Sequence, residues 1–270
     1  MNLPTTSSSR IPLWLHPTLW GLDIALAAFC WGLYFAAYLH VNLLSDATLV
    51  IVCAAAWICK MMTLHSGNPG EQTALHPEYY KHRGRALLFI LLSLVAMVTI
   101  IWQIFWEVGR GFIVFIFPAL LMLLLLKLLK RMRLTIATYA ALGAAFVLGC
   151  VAPAAYYSFT TPALGLFSDK ALWALAGAMM LFLYNRRPEA PAQTSPQHIG
   201  ILLAVLVYTL YLNHSAPPVQ QPLCTTVIIT LGFIHLLSHL HSRLSFDAWS
   251  ALGWPMVTLP AIIGIIQLAH

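Results

Sequence analysis

Charge is what this sequence has least of. Eight Asp and Glu and 14 Lys and Arg serve 270 residues, so charged side chains make up 8% of the chain. A soluble domain carries about 25%. The longest polar link, 65–85, is too short to build a core of its own, which excludes a separate soluble domain. Cysteine is scarce as well: Cys30, Cys53, Cys59, Cys150 and Cys224 are odd in number, scattered, and never form a C-x-x-C pair. Neither a disulfide framework nor a cysteine zinc site follows from that pattern, and thiols acting as small apolar side chains do. No G-x-S-x-G, P-loop, H-E-x-x-H or dinucleotide fingerprint is present, so no serine or cysteine nucleophile is nominated. The formal charge of +6 is spread over loop edges rather than gathered in a patch, which excludes a nucleic-acid footprint and suits lipid headgroups.

What the chain does have is apolar length. Hydrophobic residues are 60% of it, and about nine stretches are long enough to cross a bilayer. They run Leu19–Leu39, Ala47–Leu64, Ala86–Trp106, Gly111–Leu129, Leu134–Tyr157, Lys170–Tyr184, Ile199–Leu212, Leu223–His239 and Trp249–Leu268. Each must be helical, because an open strand edge has no partner in lipid. Prolines and glycine punctuate the links: Pro69 and Gly70, then Pro188, Pro191 and Pro196, then Pro217, Pro218 and Pro222. The N-terminal MNLPTTSSSRIPLWLHP lacks the pattern of a cleaved signal, so the first apolar stretch is expected to stay as a span. The expected organisation is one polytopic domain over 1–270. It has a polar segment at 1–18 and main cytoplasmic loops at 65–85 and 185–198.

The basic residues set the orientation. One set of links carries Arg10, then Lys81, Arg83 and Arg85, then Lys127, Lys130, Arg131 and Arg133, then Arg186 and Arg187, then Arg243. The alternate set carries only Arg110 and Lys170. The positive-inside rule then places the N-terminus in the cytoplasm and the C-terminus outside, in what reads as a bacterial inner membrane. Runs of small residues mark helices that pack closely inside a bundle: Ala25, Ala27 and Ala28; Ala140, Ala141, Gly143, Ala144 and Ala145; Ala174, Ala176, Gly177 and Ala178. The fourth stretch, Leu-rich from Leu120 to Leu126, reads as lipid-facing.

Four groups of polar residues are candidates for function. Asp23 and Lys60 fall inside apolar stretches at matching depth near the cytoplasmic end, which fits an ion pair between neighbouring helices or a snorkelling lysine. Intramembrane charges of this kind would be the pathway groups of a small transporter. Lys81, His82, Arg83 and Arg85 could hold a phosphate, or could simply set topology beside lipid phosphates. Asn185, Arg186 and Arg187 close the sixth stretch and read the same two ways, as contacts to an anionic substrate or as a helix cap beside topology-setting arginines. His235 and His239, four residues apart in HLLSHLH with His241 just beyond, share a helix face at metal- or haem-compatible spacing without a carboxylate or thiolate, or are simply interfacial histidines at the cytoplasmic edge. His214 lies at the opposite side of the membrane and cannot join them.

Helices with the N-terminus inside, and the richest polar links after the second and sixth, resemble the UbiA-type membrane prenyltransferases. AAWICKMMTLHSG stands where a bacterial branch has an aromatic-led D-R-x-x-D motif. LHPEYYKHRGR is similar to its basic, His-containing sequel, and RLSFDAWSALGWPMVTLP to the start of its last helix. The resemblance implies a UbiA-like helical bundle that binds an isoprenoid diphosphate or a quinone-like lipid. In the family, aspartates in those two loops hold Mg²⁺ for prenyl transfer. Here no carboxylate lies from Lys60 to Gly67, Gly253 replaces an expected Asp, and Glu71, Glu78 and Glu189 are too few and wrongly spaced. The function expected is therefore isoprenoid or other lipid binding on an inherited fold. The alternatives are Mg²⁺-dependent prenyl transfer at an atypical diphosphate site, and transport or assembly work.

The orientation is directly testable. A periplasm-active phosphatase fused after His270 is expected to be active, and the same enzyme inserted at Gly70 inactive; the reverse pattern overturns the reading of the charge bias.

Overall fold

The computed structural model describes residues 16–42, 47–66, 83–108, 135–157, 169–185, 196–215, 217–240 and 246–269. Among these there are only helices. A single turn, His16–Leu19, precedes α1 (Leu22–Tyr38), α2 (Ala47–Ser66), α3 (Arg83–Val108), α4 (Thr135–Tyr157), α5 (Lys170–Asn185), α6 (Pro196–Ser215), α7 (Gln221–Leu240) and α8 (Phe246–Ala269). These overlie every apolar stretch read from the sequence except Gly111–Leu129, which lies outside the described residues. Among the described residues, four segments are long and apolar enough to cross a membrane: Ile136–Tyr156, His198–Ser215, Gln221–Leu240 and Ala251–Ala269.

The first stretch is shorter than the sequence implies, for a local reason. Gly21 adopts φ 67°, a left-handed conformation that ends the His16–Leu19 turn and starts α1 afresh. Its N–H donates to the Thr18 carbonyl at 3.2 Å. A side chain there would also meet Lys60 Cγ at 3.0 Å, so the break brings the start of α1 against α2. The resulting helix has 17 residues and α5 has 16. Either is about 25 Å long, less than a full hydrocarbon core of about 30 Å.

Five helices close into a ring: α1 packs on α4, α4 on α5, α5 on α7, α7 on α8, and α8 returns to α1. Aromatic side chains bind the wall of that ring together. Trp254 of α8 lies against Phe182 of α5 at 5.0 Å and Phe146 of α4 at 5.4 Å between centroids. Trp31 of α1 is fully buried beside Tyr34 and Phe35. The Trp31 indole N–H donates to the Val257 carbonyl of α8 at 3.2 Å, within one turn of Pro260, which itself offers no N–H to the helix. The remaining helices are attached outside: α2 on α1 and α4, α3 on α2, and α6 on α5 and α7.

Contacts along each pair give the directions. Gly21 lies by Met61 and Gly32 by Leu49, so α1 and α2 are antiparallel. Trp31 meets Val257 while the position of Gly264 meets the Tyr34 ring, so α1 and α8 are parallel. Tyr139 packs on Tyr184, and Gly143 on Ala176 and Met180, making α4 and α5 antiparallel. Asn185 bonds Ser238, which sets α5 and α7 parallel. The Trp249 indole donates to the Leu237 carbonyl at 3.2 Å, turning α8 back along α7. This alternation is what successive crossings of one layer produce.

The small-residue runs lie where close packing needs them. Ala27, Ala28, Ala174 and Ala178 are buried in the ring, and at Gly143 α4 packs directly against the α5 backbone. On the outside, α3 exposes Leu88, Leu91, Leu92, Val95 and Trp102, and α6 exposes Val207 and Tyr211. Apolar faces of this extent belong in lipid rather than in water.

A Cβ at Gly143 would stand 2.6 Å from the Ala176 carbonyl oxygen and 2.7 Å from the Met180 nitrogen, both backbone atoms that cannot rotate away. Gly143→Val is therefore expected to lower stability by about 1–3 kcal/mol, read as a lower melting midpoint in detergent. Gly149→Ala, whose Cβ meets nothing within 4 Å, is expected to melt no lower. Equal midpoints for Gly143→Val and the parent would show that α4 and α5 do not meet there.

Candidate functional site

The helix directions gather the polar residues at two ends of the bundle. One end holds Trp20, Gly21 and Asp23 of the α1 start, Trp57 and Lys60 of α2, Asn185 of α5, His198 of α6, and His235, Ser238 and His239 of α7. The other holds Tyr38, Asp169 and Cys224.

At the first end, Asp23 is buried in the opening turn of α1. One carboxylate oxygen accepts the Ile24 N–H at 2.9 Å, and the other is enclosed with no hydrogen bond. An acid in this turn is favoured by the helix dipole. The Lys60 stem runs alongside Gly21, two residues before Asp23, so the two charges read from the sequence do reach the same level of adjacent helices. Next to them the Trp57 indole donates to the Trp20 carbonyl at 2.7 Å, tying α2 to the chain just before the Gly21 break.

Asn185 is buried rather than presented at the surface, and its Nδ2 donates to Ser238 Oγ at 3.4 Å. The amide thus links the ends of α5 and α7. Arg186 and Arg187 lie outside the described residues, as do Lys81 and the carboxylates Glu71, Glu78 and Glu189. Arg83 and Arg85 fall in the first turn of α3. His235 and His239 are both exposed, with Nε2 atoms 3.2 Å apart and rings at 85°. His198 is buried at the start of α6, within electrostatic range of His235. Among the described residues no group of three His, Cys, Asp or Glu side chains converges at metal-ligand distance. His214 ends α6 and is exposed.

The second end carries a constellation that the sequence reading missed. Asp169 stands just before α5, and its carboxylate accepts the Ala171 N–H at 2.9 Å as an N-cap. Tyr38, from the last turn of α1, brings its hydroxyl within electrostatic range of the same carboxylate. Tyr34 stacks on Tyr38 at 6.3 Å between centroids. Cys224 lies within electrostatic range of Asp169. Burial raises the Asp169 carboxyl above the ordinary range, opposed by the backbone N–H groups of Ala171 and Leu172 and by the Tyr38 hydroxyl. An acidic residue one position before an apolar helix was the available signal. Tyr38 could not be assigned to it, because the two are far apart in sequence.

The cysteines also come together more than their spacing implies. Cys53 of α2 is within electrostatic range of Cys30 on α1 and Cys150 on α4. All three are free thiols, and Cys30 and Cys150 are buried. No family model, no curated protein and no solved structure matches this chain.

Asp169 yields a signed pH prediction. A carboxyl raised in the folded state holds its proton more tightly there than when unfolded, so its contribution falls as pH rises from the unfolded value near 3.8 through the folded one. Asp169→Asn keeps an acceptor for the cap and is expected to flatten that part of the stability profile without lowering the midpoint at pH 7. Asp169→Ala loses the cap and is expected to cost about 1 kcal/mol. Melting curves across pH 4–8 check both; an unchanged slope in Asp169→Asn would remove the carboxyl from the account.

Proposed function

We propose that this chain is a polytopic inner-membrane protein of about nine spans that holds the apolar tail of an isoprenoid or similar lipid, on a bundle related to the UbiA type. The observation that carries the reading is a shallow cleft between α4 and α5, lined by Ala144, Val147, Leu148, Leu172, Trp173 and Ala176. Its lining is wholly apolar, Trp173 is half exposed at its edge, and Ala144 and Ala176 are buried at its floor, so it is a surface groove along which an apolar chain can lie rather than a cavity. In a bilayer such a cleft selects by close packing, since lipid tails offer no hydrophobic contrast.

The polar end supports the same reading. α5 leaves the cleft toward Asn185, Arg186 and Arg187, and α3 begins at Arg83 and Arg85 just after Lys81. An anionic head is held there by charge-assisted hydrogen bonds from guanidinium and ammonium groups. The span count has support from parity. α2 and α4 run in opposite directions, so an even number of crossings separates them. α3 supplies one, and the apolar stretch 111–129 is long enough for the other. With the N-terminus in the cytoplasm, the basic rim faces the cytoplasm too. Catalysis of prenyl transfer is not part of this proposal, because the aspartates that hold Mg²⁺ in the family have no counterparts in the corresponding motifs of this sequence.

Lipid extraction and native mass spectrometry on the detergent-purified chain test the proposal, with and without Mg²⁺ and farnesyl diphosphate. The expected result is a retained isoprenoid or other lipid that needs no metal, and its loss in Ala144→Phe with Ala176→Phe, which fill the cleft. Mg²⁺-dependent release of diphosphate would replace the binding role with transfer, and retention of no lipid at all would end the proposal.

A further inference from the structure

His235 and His239 take no part in the core. On the same turns of α7, Ile234, Leu237 and Ser238 face inward while both imidazoles are exposed. Their Nε2 atoms nevertheless approach to 3.2 Å, with ring centroids 4.6 Å apart. At that distance two neutral imidazoles share one proton: one Nε2–H donates and the other Nε2 lone pair accepts.

The same separation suits a cation. A zinc–imidazole bond is about 2.0–2.1 Å, so two ligands at angles between 90° and tetrahedral stand about 2.9–3.4 Å apart. The observed distance lies inside that window, and helical spacing of four residues fixes both rings on one face. Binding requires a lone pair on each Nε2. The ring that donates therefore moves its proton to Nδ1 by exchange with solvent, and two neutral rings release no net proton. An imidazole-only donor set favours late first-row divalent ions and disfavours Mg²⁺ and Ca²⁺, which take oxygen ligands. Among the described residues no third His, Cys, Asp or Glu stands at ligand distance, and His241, just beyond the pair, lies outside them.

We propose that His235 and His239 form an open two-histidine site for a late first-row divalent transition metal, at the end of the bundle that also carries Lys60 and Asn185. The site stands independently of the lipid cleft between α4 and α5.

Cu²⁺ titration of the full-length protein in detergent tests it, followed by electron paramagnetic resonance and by calorimetry. The wild type is expected to bind one Cu²⁺ per chain more than the double variant His235→Gln, His239→Gln, with nitrogen hyperfine structure from two imidazoles. Each single variant is expected to weaken that site by at least the roughly tenfold cost of losing even an outer-shell partner. Because both side chains are exposed, melting midpoints without metal should match, which separates loss of a ligand from loss of fold. His214→Gln, at the opposite end of the bundle, should retain full binding. Equal Cu²⁺ stoichiometry and affinity in the wild type and the double variant would overturn the proposal, as would a spectrum that the double variant reproduces.

Discussion

The hydrogen bond from the Trp31 indole to the Val257 carbonyl joins the first and last of the five ring helices, and the closure of the bundle depends on that junction. Trp31 is fully buried, so its N–H has no water to turn to. An unsatisfied donor in such a place costs about 1–3 kcal/mol. Satisfying it requires α8 to lie against α1 in one register. That register also sets the position of Gly264 beside Tyr34 and leaves Trp254 to reach Phe146 and Phe182. One polar atom in an apolar interior therefore selects among the many ways two smooth helices could slide past each other.

Much of this architecture was legible in the sequence because lipid imposes a simple code. Apolar length reads as a helix, and its small-residue runs read as packing faces. Ala27 and Ala28, Gly143 and Ala144, and Ala174 to Ala178 all lie where that code puts them. The code fails where geometry is local or long-range. Gly21 cuts the first stretch because its left-handed φ breaks the helix, and nothing in the hydropathy of Leu19–Leu39 marks such a break. Asp169 with Tyr38, and Asn185 with Ser238, pair residues whose partners depend on how the ring closes. The thiols of Cys30, Cys53 and Cys150 look scattered along the chain for the same reason. For Asp23 and Lys60 the structure adds that the Lys60 stem runs beside Gly21, two residues before Asp23.

Polar groups gather at both ends of the bundle. Around Asp169 the acceptor caps the start of α5 and lies within electrostatic range of Tyr38 at the end of α1. Groups with unmatched capacity occur towards both ends, Asp23 Oδ2 at one and Tyr34 Oη and Asn213 Oδ1 towards the other. His235 and His239 are exposed, and one Asp23 oxygen accepts no hydrogen bond. Buried polar groups that are fully matched rigidify a fold. Those that are exposed or only half matched keep capacity for ions, headgroups or partners.

The ring has an implication for how the protein is made. Its closing helix, α8, is the last of the described helices to leave the ribosome, while the helix it must grip, α1, is the first. Until α8 arrives, Trp31 has no acceptor from it and the α1 face is open to lipid or to an insertion factor. Contacts so distant in sequence form late. During synthesis the described helices before α8 therefore form an unclosed arc, and the chain closes only with its last described helix.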